Sequence, residues 1–204
     1  ISLIMVFAWI FTFGACKDEN NYEQSGNVST TNGEESTTEN KDLPKNVNPL
    51  TGKADLSDGA IGARPVAIMV ENSPSARPQW GMSTPDVILE GMVEGGITRM
   101  MGVTQDISAL PQIGTVRSAR KPFLELAQGH NAVYVHAGYD YFHFAQLRKS
   151  LGIDTFDINT GKYSKYGFRQ QNGLSSEHTM YTTGAKIAEG MKNLGFPTTA
   201  ENTS

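Results

Sequence analysis

The clearest chemical content lies in Gly114-Thr115-Val116-Arg117-Ser118-Ala119-Arg120-Lys121, together with Glu94-Gly95-Gly96-Ile97-Thr98-Arg99. Pro122 suits the first position of a helix, where its missing N–H would be unpaired anyway. The pattern predicts a helix over 122–127 with Phe123, Leu124 and Leu126 turned inward. Arg117, Arg120 and Lys121 then crowd the helix end whose dipole repels cations. An anion among them removes the conflict, because guanidinium forks and first-turn N–H groups both hold carboxylate or phosphate. Either an external ligand supplies that anion, or an internal carboxylate does, with Glu90, Glu94 and Glu125 as candidates. The candidate anion-binding set is Arg99, Arg117, Arg120 and Arg77.

Histidines offer a second kind of chemistry. His136 closes a predicted strand and is followed by Gly138 and Asp140, at the edge where open parallel sheets bind ligands. With Asp140 or Glu94 orienting it, His136 would move protons, so His136 and Glu94 are the catalytic candidates. A hydrogen-bonded structural histidine is the competing expectation. His178 lies in a long loop before the last predicted helix, where it would bind ligand or cap the chain. No metal or other cofactor is expected, since His130, His136, His143 and His178 show neither His-Glu-x-x-His nor paired-cysteine spacing. Ser118 lacks a Gly-x-Ser-x-Gly elbow, and Gly95-Gly96 is no nucleotide fingerprint. Three local cations do not make a nucleic-acid surface.

The elements that must position these groups follow from periodicity and punctuation. Pro65 to Val70 reads as a strand buried on both faces. Thr84-Pro85-Asp86 carries the signals of a helix start, and the helix would hold Val87, Ile88, Leu89, Met92 and Val93 before Gly95-Gly96. Ile97 to Thr104 is a strand that places Arg99 beside Met101 and Val103, so a covered guanidinium there needs a partner. Asn131 to Val135 and Ile153 to Ile158 are further strands. A helix from Asp140 through Leu151 would face Phe142, Ala145 and Leu147 inward. Residues 159–180 form a long polar loop, and Thr183 opens a last helix that Gly195 and Pro197 stop. Strand and helix alternate, which predicts an α/β fold with a mainly parallel sheet covered by helices, preceded by a disordered tether.

The 204 residues are unevenly composed, which explains a hydrophobic content of only 38% and a mean hydropathy of -0.35. Residues 17–48 hold seven acids and three lysines and almost no large apolar side chain, which predicts a disordered linker over 16–47. Such a tether reaches roughly 30 Å r.m.s.. The rest of the chain is balanced in charge, which argues against nucleic acid as a partner. Residues 1–15 are apolar but too short for a comfortable membrane span. With Gly14-Ala15-Cys16 they resemble a bacterial lipoprotein signal, in which the single cysteine is acylated and tethers the chain to the extracytoplasmic face of the cell membrane. A plain export signal with an incidental cysteine is the alternative. The missing basic segment and starting methionine suggest that the sequence begins inside the signal.

Further stretches recur together: Asn48-Pro49-Leu50-Thr51-Gly52, Arg64-Pro65-Val66-Ala67-Ile68-Met69-Val70-Glu71-Asn72-Ser73, Ala76-Arg77-Pro78-Gln79, Val116-Arg117-Ser118-Ala119-Arg120, Tyr134-Val135-His136-Ala137-Gly138, and His178 with Tyr181-Thr182. Over about 48–196 the chain resembles the YerB-like lipoproteins of Gram-positive bacteria, a domain-of-unknown-function family. Thr115 and Glu177 depart from that pattern, where proline would be expected. The resemblance implies a membrane-anchored extracytoplasmic lipoprotein whose domain over 48–197 usually precedes a second, smaller one, leaving 198–204 as a truncated tail. The resemblance carries no established activity. Two function classes follow: a protein that binds an anionic cell-envelope ligand or a partner protein through the arginine loop, and an envelope hydrolase or transferase using His136 and Glu94.

Overall fold

Val66–Glu71 forms β1, whose six residues are all buried, as a doubly covered strand requires. The computed structural model describes residues 44–171 and 173–200. The signal-like segment 1–15, Cys16, most of the expected linker and the side chain of Phe142 lie outside the described residues. β1 is the middle strand of a five-stranded sheet. On one side it pairs antiparallel with β3 (Thr98–Thr104), which pairs antiparallel with the edge strand β2 (Val87–Met92). On the other side it pairs parallel with β5 (Val133–His136), and β5 parallel with β6 (Thr155–Asp157). A second sheet, wholly antiparallel, orders β4 (Gln112–Gly114), β8 (Met180–Thr183) and β7 (Phe168–Arg169).

The expected mainly parallel sheet is therefore corrected: among the described residues only β1–β5 and β5–β6 run parallel. The cause is local. Val87–Met92 is a strand, not a helix, with alternate residues half-buried and exposed along an edge. The apparent helix-start residues have other uses. Asp86 accepts from the Asn48 side chain at 2.8 Å and from the Gln105 amide at 2.7 Å, closing the open end of the β2–β3 hairpin. Pro85 lies over Gly102 of β3, where a β-carbon would come within 2.7 Å of the proline ring.

Three α-helices flank the main sheet. α1 (Lys121–Gly129) buries Phe123, Leu124 and Ala127, while Leu126, expected inward, is exposed. In α2 (Tyr141–Leu151), among the residues whose side chains are described, Phe144 is buried, Leu147 is half-buried and Ala145, expected inward, is exposed. α3 (Gly184–Leu194) starts at Thr183, whose hydroxyl accepts from the Lys186 amide, and ends at Gly195 in the left-handed conformation. One core gathers Ala67, Met69, Met101, Val103 and Tyr134 against Phe123, Leu124 and Phe144 of α1 and α2. The other joins Val66, Ile68, Val70 and Val135 to Ile113 and Met180 of the second sheet and to Ile187 of α3. Hydrogen bonds also reach residues just outside 48–197. The Asn46 amide donates to Ala54 and Leu56 carbonyls, and residues 198–200 bond back to Gly62 and Arg64.

Gly102→Ala tests the Pro85–β3 contact. Overpacking of this kind costs about 1–3 kcal/mol, and thermal denaturation should show a lowered Tm.

Candidate functional site

β1 and β5 pair only from Val66 to Ile68 and Val133 to Val135, and beyond that point the backbone of 115–119 lies between them. On one flank Glu71 N–H donates to the Thr115 carbonyl and Arg117 N–H to the Met69 carbonyl, both at 2.9 Å. On the other, Ala137 N–H donates to the Arg117 carbonyl and Ala119 N–H to the Gly138 carbonyl, again at 2.9 Å. Val116 N–H donates to the Met180 carbonyl of β8 at 2.7 Å. Gly138 has φ +87 and a β-carbon there would sit 3.0 Å from the Ser118 hydroxyl oxygen, so glycine suits this close approach.

The arginines cluster around this inserted segment, each with an acceptor inside the protein. Arg99 and Glu71 are direct partners in the β1–β3 register and both are buried. Arg99 Nη1 donates to the Ser118 carbonyl at 2.5 Å, and its Nη2 lies 3.4 Å from Glu94 Oε1. Burial, then the neighbouring Arg120 charge, pulls the Arg99 guanidinium below its usual value, while Glu71 and Glu94 oppose the shift. Arg117 Nε lies 2.5 Å from Glu71 Oε2, an ion pair that departs from hydrogen-bond alignment. Arg117 Nη1 also donates to the Glu177 carbonyl at 2.9 Å. Arg120 forms a two-pronged pair with Glu94, its Nε 2.8 Å from Oε2 and its Nη2 on Oε1. That bond, more than any other influence, holds the Glu94 carboxyl down at about 2.

Glu94 is thus the internal carboxylate at the start of α1, and Glu71 is a partner that sequence reasoning missed. Its signal was its place at the end of a buried strand, but the cross-strand register that sets it opposite Arg99 is not written in local sequence. Glu90 instead accepts from Asn72 and Thr98, and Glu125 lies 3.9 Å from Lys121. Arg77 stands apart, donating to the Asn72 carbonyl at 3.1 Å. His178 is buried, with Nε2 3.3 Å from the Ser75 hydroxyl and 3.6 Å from Glu177 Oε1.

His136 lies at the carboxyl edge of β5, beside the arginine segment through Ala137 but without Glu94. Its Nδ1 is 2.9 Å from the Gly138 carbonyl, so the neutral ring donates there and leaves the Nε2 lone pair free. Desolvation is the main cause that lowers the His136 pKa to about 4; Asp157, its register partner on β6, works against it. Asp157 fixes the surrounding loops: Oδ1 accepts from the amides of Gly138 and Asn159, and Oδ2 from the Thr160 hydroxyl. Phe144 meets the imidazole edge-on at 4.9 Å between ring centroids.

Two cavities open at this edge. One of about 440 Å³ is lined by His136, Tyr139, Phe144, Arg148, Lys162 and Tyr163. Another of about 380 Å³, largely apolar, lies between Met92, Val93, Arg120, Pro122 and Phe144. Among the described residues no three His, Cys, Asp or Glu side chains gather as a metal set, and no helix is long and apolar enough to cross a membrane.

The family model for the N-terminal domain of "Protein of unknown function (DUF3048)" matches residues 50–197. The chain belongs to this family. It is 42% identical over 150 residues to YerB of Bacillus subtilis (strain 168), which its name describes as a candidate lipoprotein; the match covers 72% of this chain and 43% of YerB. A crystal structure of YerB from Bacillus subtilis superposes with a TM-score of 0.66 at 30% identity, covering 76% of this chain and 51% of the other. The chain thus spans about half the length of the relatives it matches or less. The DUF3048 domain and its mixed α/β fold account for most of the described residues.

Glu71→Gln should strongly destabilise the domain, by about 3–5 kcal/mol, because buried Arg99 and partly exposed Arg117 lose a buried carboxylate; urea denaturation measures this. The buried histidine predicts a pH effect of definite sign. With its folded pKa lowered to about 4, His136 stays neutral while the unfolded chain gains a proton, so stability should fall as pH drops from about 6.5 to about 4. Melting curves of His136→Asn should be flatter across that span.

Proposed function

We propose that this DUF3048 domain belongs to a lipid-anchored extracytoplasmic lipoprotein, attached to the cell membrane through Cys16, that retains an anionic cell-envelope ligand at Arg120 and Arg117. The apolar run closing on Gly14-Ala15-Cys16 and the lipoprotein description of YerB support the anchor. The binding reading is carried by one observation, the outward gradient of exposure through the arginine cluster. The Arg99 and Glu71 side chains are 3% and 1% exposed. The outer guanidiniums of Arg120 and Arg117 are about a quarter exposed, and their outer carboxylates, Glu94 and Glu177, are 57% and 59% exposed.

Exposed ion pairs of this kind contribute only about 0–1 kcal/mol. A ligand carboxylate or phosphate can therefore replace Glu177 at Arg117, or join Glu94 at the open side of Arg120, while buried Arg99 keeps the Ser118 carbonyl and Glu94. Arg120 also borders the apolar cavity of Met92, Val93 and Pro122, which suits a ligand with an apolar portion beside its charge. Catalysis by His136 with Glu94 has less support. Glu94 is committed to Arg120 and Arg99, and its very low pKa makes it a poor proton carrier near neutrality.

A thermal-shift series on the full chain in mild detergent tests the reading with muropeptides, teichoic-acid fragments and inorganic phosphate. A stabilising shift is expected with envelope fragments, worth about 2.7 kcal/mol at a hundredfold excess over Kd. Arg120→Gln should abolish it and Arg117→Gln should weaken it. No shift with any anion would make the outer arginines struts and leave a partner protein as the binding reading.

A further inference from the structure

The cavity of about 440 Å³ at the carboxyl ends of β5 and β6 is independent of the arginine pairs and has a different chemistry. Its inner wall holds two buried polar atoms with no hydrogen-bond partner among the described residues, His136 Nε2 and Thr155 Oγ1. The Nδ1 bond to the Gly138 carbonyl fixes the tautomer, so Nε2 can only accept. A ligand meeting it must therefore bring an O–H or N–H. Thr155, on the neighbouring strand, both donates and accepts.

The outer wall carries opposite demands. Arg148 of α2 and Lys162 of the 3-10 turn Gly161–Tyr166 line the cavity, and neither has an ion-pair partner among the described residues. The one carboxylate present, Asp157, already accepts from two amides and the Thr160 hydroxyl. The Lys162 ammonium lies 5.0 Å over the Tyr163 ring, and Tyr139 stacks on Phe144 at 5.0 Å, so the cation and the aromatic rings form one wall. The volume falls within the range of about 300–1,000 Å³ typical of small-ligand sites.

We infer that this cavity binds an acidic sugar, a hydroxylated ring carrying one carboxylate or phosphate. A ring hydroxyl donates to His136 Nε2, a second engages Thr155, and the acidic group lies between Arg148 and Lys162. A hydroxyl reaching Nε2 gives that buried acceptor the hydrogen bond it lacks in the protein alone. Phe144 is shared with the apolar cavity beside Arg120, so the two sites lie back to back across one side chain.

Ligand-observed NMR on the full chain in mild detergent tests this with glucuronic acid, glucose 6-phosphate, glucose and inorganic phosphate. Both acidic sugars, or one of them, should bind, and the preferred one identifies the acidic group as carboxylate or phosphate. Arg148→Gln and Lys162→Gln should each weaken that binding about tenfold. Both are surface changes that leave the fold intact. His136→Asn, which keeps a donor toward Gly138 but loses the Nε2 acceptor, should weaken it as much. Lys149→Gln, on α2 but outside the cavity, should leave it unchanged. Absence of binding by either acidic sugar overturns the inference, as does binding that the Arg148 and Lys162 variants leave untouched. Inorganic phosphate binding the Arg120→Gln chain as well as glucose 6-phosphate does would also overturn it, since a plain anion site would then suffice. Every probe is also run on Arg120→Gln, which lacks the outer arginine site, so binding that survives there reads the cavity, and its failure does not bear on the site at Arg120.

Discussion

The separation of β1 from β5 beyond Ile68 and Val135 is the constraint on which the site depends. Two neighbouring parallel strands that part leave unpaired N–H and C=O groups on both sides of the gap, and buried backbone groups must find partners. Residues 115–119 supply them on both sides at once. The segment also bonds to β8, so the two sheets and the start of α1 share one stretch of backbone. Arg117, Ser118 and Arg120 owe their positions to that sewing and not to helix geometry.

Charge follows from the same insertion. Arg99 reaches the Ser118 carbonyl beside its Glu71 partner, so a guanidinium on the apolar face of β3 is tolerated where the inserted backbone offers an acceptor. From that buried pair the cations and carboxylates extend outward through Arg117 and Arg120 to Glu177 and Glu94. The helix start is thus served by a carboxylate from a distant turn, and the apparent conflict of cations with the α1 dipole is met by Glu94.

Much of this was legible in sequence, and the limits have physical causes. The doubly buried β1, the need of Arg99 for a partner, the α1 start near Pro122 and the cap and stop of α3 all follow from local patterns. The run Val87-Ile88-Leu89 has no usable period, and Thr84-Pro85-Asp86 imitates a helix cap while serving tertiary contacts. Reading that run as a helix placed a crossover between β1 and β3, which pair antiparallel with β2 as an added edge strand, and a parallel sheet followed from the error. His136 could be put at a strand edge from sequence, but Arg148 and Lys162 could not be put beside it. They meet only because α2 and the turn at 161–166 close on the same strand ends.

One feature at the opposite edge gives the domain a direction. Arg64 joins Asp154 before β1 and β6, Asn48 reaches Asp86 before β2, and residues 198–200 bond to 62–64. The polypeptide therefore enters and leaves the described fold at the amino ends of its parallel strands, while both cavities open at the carboxyl ends. The first and last described residues thus share the end of the parallel strands that carries the Arg64–Asp154 and Asn48–Asp86 bonds, and both cavities lie at the other.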